Sequence, residues 1–204
     1  EALFSIHGPT ARVHDPLTRV QGSFEKQLRA LELARSLRPD FRAAVNTVVC
    51  RDNIEQLPDT AAMLDGLGIG LIVVSNTTPE GAAGDAYEEL AVPLADLARV
   101  LPAVPARVER AVLRFFGIPM CLLGPHRMLS NDLHWDPRVT VEWAAQPGKV
   151  VFEGYYSWTP ARKRVHVDAC AGCSMNPVCV GVYERYAELW PTSELQPLGS
   201  PQTE

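Results

Sequence analysis

The sequence predicts an α/β fold built on a parallel sheet and followed by a small, irregular cysteine-rich region. In the first part of the chain, short apolar segments alternate with segments of helical periodicity in the order strand, helix, strand, helix, strand. Right-handed crossovers place three such strands in one parallel sheet, either as part of a (β/α) barrel or as a piece of an open sheet. Turns, short extended segments and four cysteines follow residue 117.

The first strand and helix are predicted near the start of the chain. Residues 3–6 are mostly apolar and end at a turn at residues 7–9, as expected of a short strand. Ser23 is a suitable N-cap, after which apolar residues recur at helical spacing through Leu31. The Arg-Pro-Asp sequence at 38–40 ends this helix, because a residue before proline disfavours helical backbone angles.

Two further strands are predicted at residues 43–49 and 69–74. The first is rich in valine, and the second is nearly continuous in apolar residues, as expected of a parallel strand covered on both faces. Between them, Asn53 is predicted to cap a helix that Gly66 ends. A polar loop follows at residues 75–81.

The chain is predicted to divide near residue 117. Helices are expected at residues 94–101 and 106–116, the second with Pro105 near its first turn. A length of 204 residues suits one domain or one domain with an appendage. We therefore expect a sheet-and-helix domain at residues 1–117 and a cysteine-rich domain at residues 118–204.

Composition limits the classes of binding partner and indicates the cellular compartment. The net charge of −5 gives no electrostatic reason to bind nucleic acid or an anionic membrane. No segment resembles a spanning helix or a signal peptide, so we expect a cytoplasmic protein with no membrane as a partner. In a reducing compartment, clustered cysteines favour metal or cluster ligation over disulfides.

Three cysteines lie close together in the sequence and predict a metal centre. Cys170, Cys173 and Cys179 form a C-x2-C-x5-C motif, and Cys121 is available as a fourth thiolate. Four sulfur ligands satisfy tetrahedral zinc or a [4Fe–4S] cluster, and the irregular spacing favours the cluster. The alternatives are structural zinc and buried free thiols. Cys50, at the end of a strand, is interpreted as a core thiol.

The order of these short motifs resembles a known family. The matching pieces in the first part are Ser5-Ile6-His7-Gly8, His14-Asp15, Gly22-Ser23-Phe24, residues 45–49 followed by Asn53, residues 69–74, and Pro79-Glu80-Gly81. In the second part, residues 117–121 and the C-x2-C-x5-C motif are followed by Gly181 and Tyr183. Together these pieces resemble the radical S-adenosylmethionine (radical SAM) superfamily, in the branch whose C-terminal extension carries an auxiliary, SPASM/twitch-like iron–sulfur cluster.

The resemblance implies a partial (β/α), TIM-like barrel and a set of cofactor residues. Ser5 and Asn46 would bind the ribose or carboxylate of S-adenosylmethionine, and Thr77 and Thr78 would border its adenine. For Ser5 and Asn46, ordinary strand polarity or a turn cap is an equally weighted alternative. The resemblance also implies a peptide or protein substrate, while the catalytic residues stay unassigned.

One departure from the family bears on activity. The C-x3-C-x2-C motif that holds the cofactor-cleaving cluster is absent from these 204 residues. We therefore expect the C-terminal part of an enzyme, inactive alone, which is truncated or completed by a second polypeptide. The rival hypotheses are a zinc-stabilised, non-catalytic interaction domain and a degenerate half-barrel that acts as a scaffold or peptide-binding subunit.

Overall fold

The structure is a computed structural model that describes residues 1–134, 139–146, 149–156 and 163–199. Its strands are β1 (Ala2–Ser5), β2 (Ala43–Val49), β3 (Leu71–Asn76), β4 (Val112–Phe116), β5 (Val139–Gln146), β6 (Lys149–Tyr156), β7 (Arg164–Val165) and β8 (Val182–Tyr183). Its α-helices are α1 (Ala11–Thr18), α2 (Ser23–Leu37), α3 (Leu57–Gly66), α4 (Ala82–Asp85), α5 (Tyr87–Leu90), α6 (Leu94–Val100) and α7 (Glu184–Leu189). Short 3₁₀ segments include Ile54–Gln56, Leu101–Ala103, Pro105–Arg107, Met120–Leu129, Asn131–Leu133 and Asp168–Cys170.

The main sheet has four parallel strands in the order β1-β2-β3-β4. Ser5 is in register with Asn46, Asn46 with Val73, and Val73 with Arg114. Neighbours in sequence are therefore neighbours in the sheet, as in a (β/α) barrel. The predicted α/β class is confirmed, and the four strands with their helices have the architecture of a partial barrel.

One face of this sheet carries the apolar core. Alternate residues of β2, β3 and β4 on this face are at most 5% exposed: Val45, Val49, Ile72, Val74, Leu113 and Phe115. Helix residues such as Leu31, Leu64 and Leu97 belong to the same apolar cluster. The opposite face carries the register row of Ser5, Asn46 and Arg114, whose side chains are exposed or half-buried. In a closed barrel this second face would be the interior.

The predicted helix at residues 106–116 is wrong, because its second half is strand β4. Along β4, buried residues alternate with more exposed ones: Leu113 and Phe115 are 5% and 1% exposed, whereas Val112 is 48% exposed. This period of two suits a strand, and the free edge of β3 provides the hydrogen-bonding partner. The sheet consequently has four strands rather than the three that were predicted.

The predicted strand at 43–49 is confirmed without a shift, and the helices at 23–37 and 94–100 are confirmed within a residue or so.

The N-cap of α2 was predicted incorrectly. Gly22 occupies that position with φ 74°, and Ser23 is the first helical residue. The exposed N–H groups of this helix end are bound by Asp15 of α1. Its carboxylate accepts from the N–H of Gly22 at 2.6 Å and from the N–H of Phe24 at 2.9 Å.

Asn53 ties two strand ends together instead of capping a helix. Its amide donates to the carbonyl oxygens of His7 and Val48, and its side-chain oxygen accepts from the N–H of Cys50. Helix α3 begins later, at Leu57, after the 3₁₀ turn Ile54–Gln56. This polar junction fixes the carboxyl ends of β1 and β2 relative to each other.

The region after residue 117 contains an antiparallel β5-β6 pair, the short β7-β8 pair and α7. Its residues Leu122, Tyr183, Tyr186 and Leu195 belong to the same apolar core as the sheet. The division into domains at residue 117 stays a prediction. No helix in the parts of the chain that the structure describes is long and apolar enough to cross a membrane.

Candidate metal centre and cofactor edge

The four cysteines predicted as ligands line one cleft. Cys121 follows the end of β4, whereas Cys170, Cys173 and Cys179 lie in the loop between β7 and β8. The cleft encloses about 390 Å³, counting its open mouth. Apolar side chains form much of the remaining wall: Pro119, Met120, Ala169, Met175, Leu195 and Pro197. Long-range folding therefore brings Cys121 to a loop that is distant in sequence.

The loop between β7 and β8 is shaped by its own backbone hydrogen bonds. The N–H of Cys173 donates to the carbonyl oxygen of Cys170 at 3.1 Å, and the N–H of Cys179 donates to that of Met175 at 2.7 Å. Gly172 has φ 75°, a left-handed conformation that costs glycine little. These turns shape the loop whose three cysteines line the cleft.

Cys179 is fixed by contacts on two sides. The N–H of Gly181 donates to its Sγ at 3.4 Å, and the Nε2 atom of His166 lies 2.7 Å from its carbonyl oxygen. Gly181 has φ 81°, and a Cβ at this position would lie 2.1 Å from the carbonyl oxygen of Val165. Only glycine allows this close approach of the two backbones.

The thiols are close enough to influence one another. Burial, together with the nearby thiols of Cys179 and Cys170, raises the pKa of Cys121 to about 11. All five cysteines are free thiols. Within the described residues, no three Cys, His, Asp or Glu side chains are placed to hold a single metal ion. The donors around the cleft are thus four free cysteines, which bind a cationic centre as thiolates.

The predicted cofactor residues Ser5 and Asn46 lie together on the sheet face that a barrel encloses. Ser5 ends β1 and is in register with Asn46. The hydroxyl of Ser75 donates to the Oδ1 atom of Asn46 at 2.6 Å, which leaves the amide N–H groups of Asn46 as the donors for a ligand. The sequence analysis missed Ser75, although its position two residues after Val73 places it on the same face.

The two predicted threonines follow β3 and are both anchored. Thr77 is 2% exposed, and its hydroxyl donates to the carbonyl oxygen of Val49 at 2.6 Å. The hydroxyl of Thr78 lies 3.0 Å from that of Tyr183. Asn76, between β3 and these threonines, donates its amide to the carbonyl oxygen of Gly117 at 3.2 Å. The loop that would border adenine is thereby bonded to β2, to the end of β4 and to β8.

A histidine pair lies at the end of β1. The N–H of His7 donates to Nδ1 of His14 at 3.0 Å, and the N–H of Val48 donates to Nδ1 of His7 at 3.2 Å. The two rings are stacked, with centroids 5.6 Å apart. Burial, followed by the neighbouring His14, lowers the pKa of His7 to about 4. Both histidines therefore serve as neutral groups that hold the end of β1 in place.

A buried ion pair near this edge was missed by the sequence analysis. Arg164 of β7 contacts Asp132 at 2.7 Å, and their side chains are 5% and 1% exposed. The guanidinium also lies over the rings of Phe116 and Tyr183, with its carbon 5.4 and 4.8 Å from their centroids. No local pattern in the sequence identifies such a pair, because the two residues lie on separate segments.

Comparison with known proteins identifies relatives that match part of the chain. An "AdoMet-dependent heme synthase" of Oleidesulfovibrio alaskensis is 33% identical over 79 residues, which is 39% of this chain and 20% of that protein. "Mycofactocin maturase MftC" of Mycobacterium ulcerans is 37% identical over 113 residues, or 55% of this chain and 30% of that protein. An "AdoMet-dependent heme synthase" of Methanosarcina barkeri is 33% identical over 97 residues, which is 48% of this chain and 26% of that protein.

The matched segments thus span less than a third of the relatives' own length. No protein-family model and no solved structure matches the chain. The relatives are members of the radical SAM superfamily, which the motifs at the strand ends and in the C-terminal part also resemble. Over part of its length, the chain is accordingly similar to members of the radical SAM superfamily.

Proposed function

We propose that this chain is the C-terminal part of a radical SAM enzyme and holds an auxiliary [4Fe–4S] cluster through Cys121, Cys170, Cys173 and Cys179. The observation that carries the proposal is the convergence of these four thiols, from two distant segments, on one largely apolar cleft. Four cysteines are the usual ligand set of such a cluster. When bound, the cluster would supply electron transfer or structural support.

The irregular spacing of the four cysteines in the sequence favours a cluster over a single zinc ion. Zinc sites usually combine two closely spaced pairs of cysteines, and here a second pair is absent, because Cys121 is distant in sequence from the C-x2-C-x5-C motif. An iron–sulfur cluster accepts such irregular spacing with one distant cysteine. The N–H of Gly181 supports the same assignment, since it donates to a ligand sulfur.

The carboxyl edge of the parallel sheet is the proposed site of S-adenosylmethionine. Asn46 would donate its amide N–H groups to the ribose or carboxylate, and Ser5 would add a hydroxyl in the same register row. The backbone and hydroxyl of Thr78 would border the adenine, with Thr77 securing the loop through Val49. Ligand sites at the carboxyl ends of strands are the rule in (β/α) barrels.

The whole enzyme is proposed to modify a peptide or protein. One relative is named a maturase, which supports a substrate that is completed after its synthesis. The C-x3-C-x2-C motif is not among these 204 residues. In our proposal, another segment or a second polypeptide supplies it, together with the rest of the barrel.

Anaerobic reconstitution of the purified chain tests the proposal. The protein is incubated with iron and sulfide, desalted, and analysed for both elements and for zinc. We expect about four irons and four sulfides per chain. One zinc without sulfide would instead establish a zinc-stabilised interaction domain and contradict the proposal. If the cluster forms but calorimetry detects no binding of S-adenosylmethionine, even with the missing half supplied, the half-barrel is a scaffold.

A further inference from the structure

A hydrogen bond between two hydroxyl groups joins the loop after β3 to strand β8. The Oγ1 atom of Thr78 and the phenolic oxygen of Tyr183 are 3.0 Å apart. Tyr183 is 2% exposed, so its hydroxyl has little access to water as an alternative partner. The bond therefore connects the proposed adenine loop directly to the cysteine-rich part of the chain.

Tyr183 has little freedom to move. It is in register with Arg164 in the β7-β8 pair, and the guanidinium of Arg164 lies over its ring. Arg164 is held in turn by the buried carboxylate of Asp132. On the other side, Gly117 has φ 72°, and a Cβ there would lie 2.8 Å from the phenolic oxygen. These contacts hold the Tyr183 hydroxyl at hydrogen-bonding distance from Thr78.

The same strand is connected to the cysteine cleft over a very short distance in the sequence. Cys179 accepts the N–H of Gly181, and Gly181 packs directly against the carbonyl oxygen of Val165. Strand β8 begins at the next residue. Any displacement of Cys179 should therefore also displace Tyr183, because the short segment between them is held by these contacts.

We infer that Tyr183 is a positioning residue, whose hydroxyl fixes the Thr78 loop for binding S-adenosylmethionine and couples that loop to the cysteine cleft. The inference rests on the proposed function for the identity of the two ligands. It adds a residue that touches neither ligand and acts through Thr78. Without the phenolic hydroxyl, the loop keeps the groups that would contact the ligand but loses its hydrogen bond to β8.

A pair of conservative substitutions tests the inference. Tyr183→Phe removes the hydroxyl that binds Thr78. Tyr186→Phe is the matched control, because Tyr186 is also buried, lies on the adjoining helix α7, and uses its hydroxyl to accept the N–H of Leu94 instead. Both variants keep the ring and lose a buried hydroxyl. Tyr183→Phe also removes the interaction of that hydroxyl with Arg164, which Thr78→Val leaves in place.

The first measurement is hydrogen exchange of the peptide that covers residues 76–86, in protein without any cofactor. In Tyr183→Phe, we expect exchange of this peptide to be roughly two- to tenfold faster than in the wild type. In Tyr186→Phe, exchange of the same peptide stays unchanged. Thr78→Val removes the other partner of the bond and should reproduce the acceleration if Tyr183→Phe fails to fold.

The second measurement is the affinity for S-adenosylmethionine after reconstitution of the cluster, with the missing half supplied. We expect Tyr183→Phe to keep its iron and sulfide and to bind roughly two- to tenfold more weakly, whereas Tyr186→Phe binds like the wild type. A purely structural role would affect both variants alike.

The two arms separate the failure of this inference from failure of the proposed function. Wild-type protein that takes up no iron or does not bind S-adenosylmethionine would refute the proposed function, while the exchange measurement still decides whether Tyr183 positions the loop. Equal exchange of residues 76–86 in Tyr183→Phe, Thr78→Val and the wild type would overturn the inference, whatever the cluster content.

Discussion

Gly181 donates its backbone N–H to the sulfur of Cys179, with 3.4 Å between the two atoms. Hydrogen bonds to ligand sulfurs are one of the features that set the reduction potential of iron–sulfur clusters. The bond depends on a left-handed backbone with φ 81°, pressed against the carbonyl oxygen of Val165. The same glycine thus shapes the proposed centre and determines how closely β7 and β8 approach.

Substitution of one proposed ligand should abolish the cluster. In Cys173→Ala, we expect iron and sulfide, and the absorbance band of the reconstituted protein, to fall to background, because one of the two closely spaced thiolates that chelate the centre is lost. Cys50→Ala is the matched control. Cys50 is a buried free cysteine outside the cleft, so the variant should keep the full metal content. An unchanged absorbance band in Cys173→Ala would count against the ligand assignment.

Adding a single methyl group at Gly181 should destabilise the fold. The new Cβ of Gly181→Ala would lie 2.1 Å from the carbonyl oxygen of Val165, on a backbone that L-residues rarely adopt. We expect a loss of about 2 kcal/mol or more in the free energy of unfolding, measured by urea denaturation. Gly66→Ala is the control, since Gly66 is helical and its Cβ would meet no atom within 4 Å. A stability loss equal to that of Gly66→Ala would show that β7 and β8 can separate freely.

The histidine pair predicts a pH dependence of stability. Burial lowers the pKa of folded His7 from its ordinary 6.5 to about 4, so the unfolded chain binds the proton more readily. We expect the contribution of His7 to stability to be complete above about pH 6.5 and to fall as the pH drops toward 4, by on the order of 3 kcal/mol over that window.

Thermal unfolding of the wild type and of His7→Asn at pH 7 and pH 5 measures this effect. The asparagine variant keeps a side-chain acceptor for the N–H of Val48 but does not titrate. We expect its melting temperature to change less between the two pH values than that of the wild type. Equal changes would mean that His7 accepts a proton in the folded state without cost.

The 204-residue chain by itself should not cleave S-adenosylmethionine. It lacks the C-x3-C-x2-C motif, and the four cysteines of the cleft are all engaged in the proposed auxiliary centre. After reconstitution and reduction with dithionite, we expect no 5′-deoxyadenosine by liquid chromatography and mass spectrometry. Its appearance in Cys50→Ala as well as in the wild type would assign the cleavage to the proposed auxiliary centre.

Local sequence patterns were sufficient to predict the elements whose partners are close in sequence or whose residues strongly prefer helical or strand conformation. The valine-rich run at 43–49 is strand β2 without a shift, and the periodicity after Ser23 gives α2. The C-x2-C-x5-C motif identified the cysteine loop, because closely spaced thiols have few other uses. Residues 112–116 had no such signal, since their strand conformation depends on the free edge of β3.

The sequence by itself determined the α/β class, the resemblance to the radical SAM superfamily and the choice of four cysteines as proposed ligands, because periodicity and motif spacing are local properties. Only the tertiary structure decided which atoms meet: Cys121 at the loop of the other three cysteines, Ser75 on Asn46, and Tyr183 on Thr78. Each of these contacts joins separate segments, and their geometry is set by how the sheet, the β7-β8 pair and the buried Arg164–Asp132 pair pack together.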